Sequence, residues 1–133
     1  MKILFCSGFS PLVRDPEASL RFWRDSLGIP VADENDGYPR TEALDGLRHF
    51  GLWSLGDAAE SCFGTREWPA DRPVPQANIE FDVEDSAEAV RELQDAGYEL
   101  LVAGREEPWG QTVTRLLSPE GLLVGITVTP WMR

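Results

Sequence analysis

Histidine is nearly absent from this chain, cysteine is scarce, basic residues are outnumbered, and no apolar run is long. The single imidazole, His49, cannot by itself make a metal centre. Cys6 and Cys62 lie far apart in sequence and form neither a metal-spaced nor a redox pair, so the expectation is two free thiols and a cytoplasmic setting. Lys and Arg number 12 against 23 Asp and Glu, a net charge of −11. Nucleic acid is disfavoured as a partner, because its counterions are displaced by basic surface. The acidity is compatible with a cationic small-molecule ligand, although solubility is the plainer reading. No stretch has the length of a membrane span. The opening Met1-Lys2-Ile3-Leu4-Phe5-Cys6 lacks the apolar length and cleavage site of a secretory signal and reads as a strand. Gly-rich phosphate loops, serine elbows and kinase elements are also missing.

What is present is a repeat. A strand followed by a capped helix occurs at Gly8-Phe9-Ser10-Pro11-Leu12-Val13-Arg14-Asp15 and again at Asn78-Ile79-Glu80-Phe81-Asp82-Val83-Glu84-Asp85. Val13 matches Val83, Asp15 matches Asp85, Leu20 matches Val90 and Arg21 matches Arg91. Duplication of this kind in a chain of 133 residues points to two copies of one module sharing a core, within one domain.

The first strand is expected over 3–13. Asp15 then has the character of an N-cap, with Pro16 at the first helical position and Glu17 near the positive end of the dipole. Leu20, Trp23 and Leu27 define an apolar face, and Gly28 ends the helix. Short strands are expected at 29–33, 38–43 and 48–55, separated by Asn-, Asp- and Gly-containing turns. The Pro-rich stretch 64–76 divides a first module, about 1–63, from a second, about 77–133. In the second, a strand over 77–83 precedes a helix capped by Asp85 with Glu88 and ended by Gly97. Strands near 98–103, 111–117 and 122–129 follow, the last hairpin turning at Pro119-Glu120-Gly121. Each half therefore reads βαβββ, and the expected fold class is α+β, two tandem modules of this kind.

In order and spacing, these motifs resemble the vicinal oxygen chelate superfamily, which includes glyoxalase I, extradiol dioxygenases and bleomycin-resistance proteins. The matching residues are Val13-x-Asp15, Phe22-Trp23 and Leu27-Gly28 in the first half. In the second they are Phe81-x-Val83-x-Asp85, Ala96-Gly97, Trp109-Gly110 and Ser118-Pro119-Glu120-Gly121. The resemblance spans essentially the whole chain. It implies that each module is a curled mixed sheet forming half of a cup, with helices on the outer face, that the cup holds substrate or drug, and that the protein is a homodimer. In metal-dependent members it also implies His ligands on the strand before each capping Asp, and Glu ligands on each module's last strand. Here those positions hold Gly8 and Asn78, and Gly125 with, by expectation, Phe50. None of these is a good donor to a divalent transition metal, so the metal and any other cofactor are expected to be lost.

Strand alternation places Asn78, Glu80 and Asp82 on one face and Ile79, Phe81 and Val83 on the other. The polar set is expected to line the cup. There two close carboxylates would favour either a bound cation or protonation of one of them, unless both simply meet water. Among the 5 tryptophans, Trp23 is expected in the core, and Trp53, Trp68, Trp109 and Trp131 are candidates for pocket walls, loop anchors or dimer contacts. The expected ligand-binding set is thus Asn78, Glu80, Asp82, Phe50, Trp53, Trp68 and Trp109. Arg48 and Arg115 are further candidates for an anionic substrate group, and Arg105-Glu106-Glu107 for a rim.

The leading expectation is a metal-free small-molecule binding protein similar to the bleomycin-resistance branch, sequestering an aromatic metabolite or antibiotic, cationic ones among the candidates, in an acidic, aromatic-lined cup. The first alternative is a metal-independent isomerase, lyase or cyclase with Glu80 or Asp82 as general base. The second is a metal-dependent glyoxalase or dioxygenase through atypical ligands such as His49, Glu80 and a carboxylate from a second copy.

Overall fold

The computed structural model describes every residue from Met1 to Arg133. Strand β1 runs Ile3–Val13. The Asp15 carboxylate then accepts a hydrogen bond from the Ala18 amide at 3.2 Å and starts α1, Pro16–Leu20, with Pro16 in its first turn. Beyond Leu20 the helix widens into a π-helical segment, Arg21–Ser26, marked by the Leu27 amide reaching back to the Phe22 carbonyl at 3.0 Å. This wider turn changes the helical period. Leu20 and Trp23 still pack on the core, whereas Leu27, expected on the same apolar face, is 54% exposed.

The rest of the first half departs further from expectation. The three strands foreseen at 29–33, 38–43 and 48–55 shrink to β2 (Arg40–Thr41), β3 (Phe50–Gly51) and β4 (Trp53–Ser54), with an isolated bridge between Ala32 and Arg40. A helix not foreseen at all, α2, occupies Leu55–Phe63. Ser54 caps it through the Asp57 amide at 3.0 Å, and Gly64 ends it at a φ of 75°, a left-handed conformation natural to glycine. The signal lay in the cap and in Leu55, Ala58, Ala59 and Cys62, whose spacing is helical.

The second half follows the sequence closely: β5 (Ala77–Val83), α3 (Ser86–Asp95), β6 (Val102–Glu106), β7 (Thr112–Leu117) and β8 (Leu123–Val128). Asp85 caps α3 through the Glu88 amide at 3.0 Å. β6 begins later than the expected 98–103, and a bulge at Gly104, φ 59°, carries it on to Glu106. A short 3-10 turn, Pro130–Met132, ends the chain. No helix is long and apolar enough to cross a membrane.

All of these strands but β4 join in one path, β2-β3-β1-β5-β8-β7-β6, with β4 pairing separately on β1. The halves meet where β1 and β5 run antiparallel, Gly8 opposite Glu80, Phe9 opposite Ile79 and Ser10 opposite Asn78. Each half repeats one scheme about that seam. β3 lies parallel to β1 with Phe9 opposite Phe50, and β8 lies parallel to β5 with Ile79 opposite Val124. The result is an α+β fold with a curled, open, mixed sheet.

Alternation along β1 and β5 divides the core. Val13 packs with Val31, Phe50 and Leu52 under the first helix, and Val83 with Ala89, Leu116 and Ile126 under α3. Leu12 shares the opposite face with Gly8 and Ser10. There it meets Leu123 and, from α2, Ala58 and Cys62. So α2 sits on the concave side and blocks one end of the cup, while the other helices back the sheet.

Candidate functional site

The concave face encloses a cavity of about 830 Å3 whose walls come from both halves of one chain. Its floor is the β1–β5–β8 seam. The Glu80 side chain rises there between two glycines: a Cβ on Gly125 would lie 2.9 Å from Glu80 Cγ, and one on Gly8 would lie 3.7 Å from Glu80 Oε1. Arg115 on β7 donates from Nη1 to Glu80 Oε2 at 3.1 Å and to Asn78 Oδ1 at 3.3 Å. Its guanidinium carbon lies 4.8 Å from the centroid of Trp53, within cation–π range. Arg115 is 5% exposed and Asn78 3%, so this is a desolvated polar cluster.

A second pair faces it from the first half. Tyr38 Oη and His49 Nε2 are 2.6 Å apart, and His49 Nδ1 lies 3.8 Å from a Glu42 carboxylate oxygen. Burial lowers the imidazole's pKa against the opposing pull of Glu80 and Glu42, favouring the neutral ring. Burial likewise pushes the Tyr38 hydroxyl up to about 12. Alkaline titration should expose this directly. A tyrosine that ionises near 10 when unfolded and about 12 when folded lends stability below pH 10 and loses it as pH rises between those values. We expect a loss of roughly 2 kcal/mol across that window, read from urea melts. In a Tyr98→Phe background, tyrosinate absorbance would report Tyr38 alone.

Gly51 makes room for this pair. A Cβ there would lie 2.1 Å from Tyr38 Oη. Gly51→Ala is therefore expected to push the ring aside, break the contact with His49, and cost about 1–3 kcal/mol by overpacking. The His49 ring signals in NMR and a thermal melt would check both effects. Unmoved imidazole resonances would refute the assignment.

The remaining walls are paired among themselves. Arg40 bridges Asp36 at 2.8 Å and Glu34 at 3.0 Å. Arg105 reaches Glu107 at 2.7 Å and the Ser61 carbonyl on α2 at 2.9 Å, closing the far end. Trp109, 60% exposed, donates to Gln111 Oε1 at 3.1 Å, and Gln111 donates to Thr129 at 2.9 Å.

Of the residues named from sequence, Asn78, Glu80, Trp53 and Trp109 come together in the cavity. Trp131 also lines it. Three do not. Phe50 is 4% exposed and packs 5.5 Å from the Trp23 ring, because its neighbours His49 and Gly51 take the concave face. Trp68 stacks edge-on against Phe63 and donates to the Pro73 carbonyl at 2.8 Å, anchoring the loop after α2. Asp82 is wholly buried: it accepts from Thr127 Oγ1 at 2.6 Å, from the Thr129 amide at 2.9 Å and from Arg133 at 3.2 Å. It holds the chain terminus and does not reach the cavity. Arg48 lies over the Phe5 ring outside the cavity, at 3.8 Å from its centroid. Sequence reasoning missed Tyr38, Ser10 and Gln111, and the α2 residues Asp57, Glu60 and Ser61. Buried Phe50 flanked by His49 and Gly51 was the available signal for β3.

The register also settles which residues stand where metal ligands are implied. The scheme that sets Glu80 beside Gly125 sets Ser10 beside Gly51, so Gly51, one residue beyond the expected Phe50, is the counterpart of Gly125. The four positions are then Gly8, Gly51, Asn78 and Gly125. Tyr38 and Glu80 fill the space that ligands at the two carboxylate positions would need. No three His, Cys, Asp or Glu side chains converge, and a guanidinium occupies Glu80. The donor set does not fit a divalent metal.

Two repeated modules joined in one curled mixed sheet around a concave cavity define the class of fold. The chain belongs to the Glyoxalase/Bleomycin resistance protein/Dioxygenase superfamily, whose sequence profile matches residues 10–126. A superfamily member from Vibrio splendidus 12B01 is 19% identical with a TM-score of 0.66, over 95% of this chain and 99% of its own. A Legionella pneumophila protein described as an NAD-dependent benzaldehyde dehydrogenase is 15% identical with a TM-score of 0.61, over 91% and 96%. A single-residue variant of Streptomyces coelicolor methylmalonyl-CoA epimerase, in complex with 2-nitronate-propionyl-CoA, is 17% identical with a TM-score of 0.56, over 97% and 99%. At such identities the likeness speaks for the fold. No curated protein matches the chain by sequence.

Proposed function

We propose that the protein binds a small aromatic molecule in this cavity without a metal, sequestering it. The observation that carries the reading is the occupation of the family's ligand positions: Tyr38 and Glu80 lie where Gly51 and Gly125 leave space, and Arg115 neutralises Glu80. The cavity volume of about 830 Å3 falls in the range of small-molecule sites, and Trp53 and Trp109 offer flat apolar walls. Affinity would come from burying the ring and selection from the polar floor; no bond is broken. The test is elemental mass spectrometry of protein purified without chelator, followed by tryptophan-fluorescence titration with aromatic compounds in the presence and absence of EDTA. Saturable quenching indifferent to EDTA is expected. Stoichiometric nickel, zinc, manganese or iron would sink the proposal.

A second reading, isomerase- or lyase-type proton transfer, is favoured by one observation, the 2.6 Å contact between Tyr38 and His49. The bases expected from sequence are poorly placed for it, since Glu80 is held by Arg115 and Asp82 is sealed under the floor. Exchange of solvent deuterium into a bound ligand, lost in His49→Gln, would support this activity over plain binding.

A further inference from the structure

The floor holds hydrogen-bond donors with nothing to donate to. Both side-chain bonds of Arg115 leave from Nη1, and its Nε is buried with no partner. Nη2 has no partner either, and it is the guanidinium group left to meet a ligand, since Nε lies sealed behind it. Asn78 adds to it. Arginine only donates, so the Asn78 carboxamide must turn its oxygen to Nη1, which sends its NH2 elsewhere. That NH2 has no acceptor among the protein's hydrogen bonds, and both residues are more than nine-tenths buried while lining the cavity.

We infer that this donor pair is a carboxylate-binding subsite, so that the aromatic ligand carries a planar oxyanion seated on Arg115 and Asn78 with its ring beside Trp53. The inference rests on the metal-free binding reading above and reverses the sign of charge that the acidic composition led us to expect. Composition misleads here because the rim acids are largely paired with Arg40, Arg66 and Arg105, and most of them are exposed and so screened; Glu107, nearly buried, is held by Arg105. The floor is desolvated, and there an unpaired donor on a charged group is expensive to leave unmade. A carboxylate supplies one acceptor to Arg115 Nη2 and one to the Asn78 NH2; an amide supplies one weaker acceptor, and an ammonium none.

Calorimetric titration of the whole chain with 2-naphthoate, 2-naphthamide and 2-naphthylmethylammonium tests this without any mutation. The carboxylate is expected to bind roughly tenfold to a hundredfold more tightly than the amide. Arg115→Lys, which keeps the charge and loses the planar guanidinium, should reduce that preference to within a few-fold. Because Arg115 is paired and buried, Asn78→Asp provides an independent arm: it places a negative charge at the subsite and should turn the preference toward the ammonium. Equal affinity of the three compounds, or tightest binding of the ammonium to the unmodified protein, overturns the subsite and leaves the cavity reading standing. Binding of none of them overturns both.

Discussion

Asp82→Ala is expected to lower the unfolding free energy by about 3 kcal/mol, since hydrogen bonds to an ionised acceptor are each worth roughly 1.5–3 kcal/mol and the removal orphans their donors. Asp82 accepts from Thr127 Oγ1, the Thr129 amide and Arg133, and it is completely buried, as are both threonines. The orphaned Thr129 amide has no water to turn to. For a chain of this size the melting temperature should fall by roughly 10 °C. Asp82→Asn keeps one acceptor and should lose less than half as much. The effect should also reach the ligand. Arg133 follows the Pro130–Met132 turn, and Trp131 and Met132 line the cavity, so freeing the terminus loosens one wall. A melt of Asp82→Ala within about 2 °C of the parent would refute this assignment of Asp82 as the terminal anchor.

That residue shows how far the sequence could be read. Alternation along β5 correctly grouped Asn78, Glu80 and Asp82 on one face, because a strand fixes parity. It could not say that the cavity ends before Asp82. The C-terminal turn closes over that position, and a turn's path follows from contacts made late in the chain. The second half was legible because its caps, turns and alternation agree: Asp85, Gly97 and Gly121 each sit where the structure uses them. The first half was not, because β2, β3 and β4 are two residues each and carry little periodicity. Trp53-Ser54-Leu55 read as the continuation of a strand, yet Ser54 is a helix cap. Missing α2 concealed one end of the cup. A slip of one residue at Phe50 then hid the Gly51–Tyr38 contact and put Phe50 in the cup in place of its neighbour His49, as any register error exchanges the two faces.

The Glu80–Arg115 pair carries the second large effect, and it separates what the floor does for stability from what it does for a ligand. Their contact is 3.1 Å, with side-chain exposures of 16% and 6%. Glu80→Met leaves the guanidinium buried with only Asn78 as acceptor, and an uncompensated charge of this kind costs about 3–5 kcal/mol. Arg115→Met leaves Glu80 near the cavity, where water reaches it more easily, and should cost less. Replacing both removes the charges together. Unbranched methionines can follow the same channels past Gly125 and Trp53, so the double variant should return to within about 1–2 kcal/mol of the parent. Urea melts of the four proteins complete the cycle. If the double variant recovers stability while losing all preference for carboxylates, the pair is retained for recognition at a stability the protein could have gained without it. If the two single losses simply add, the side chains are not coupled, and the floor described above is wrong at its centre.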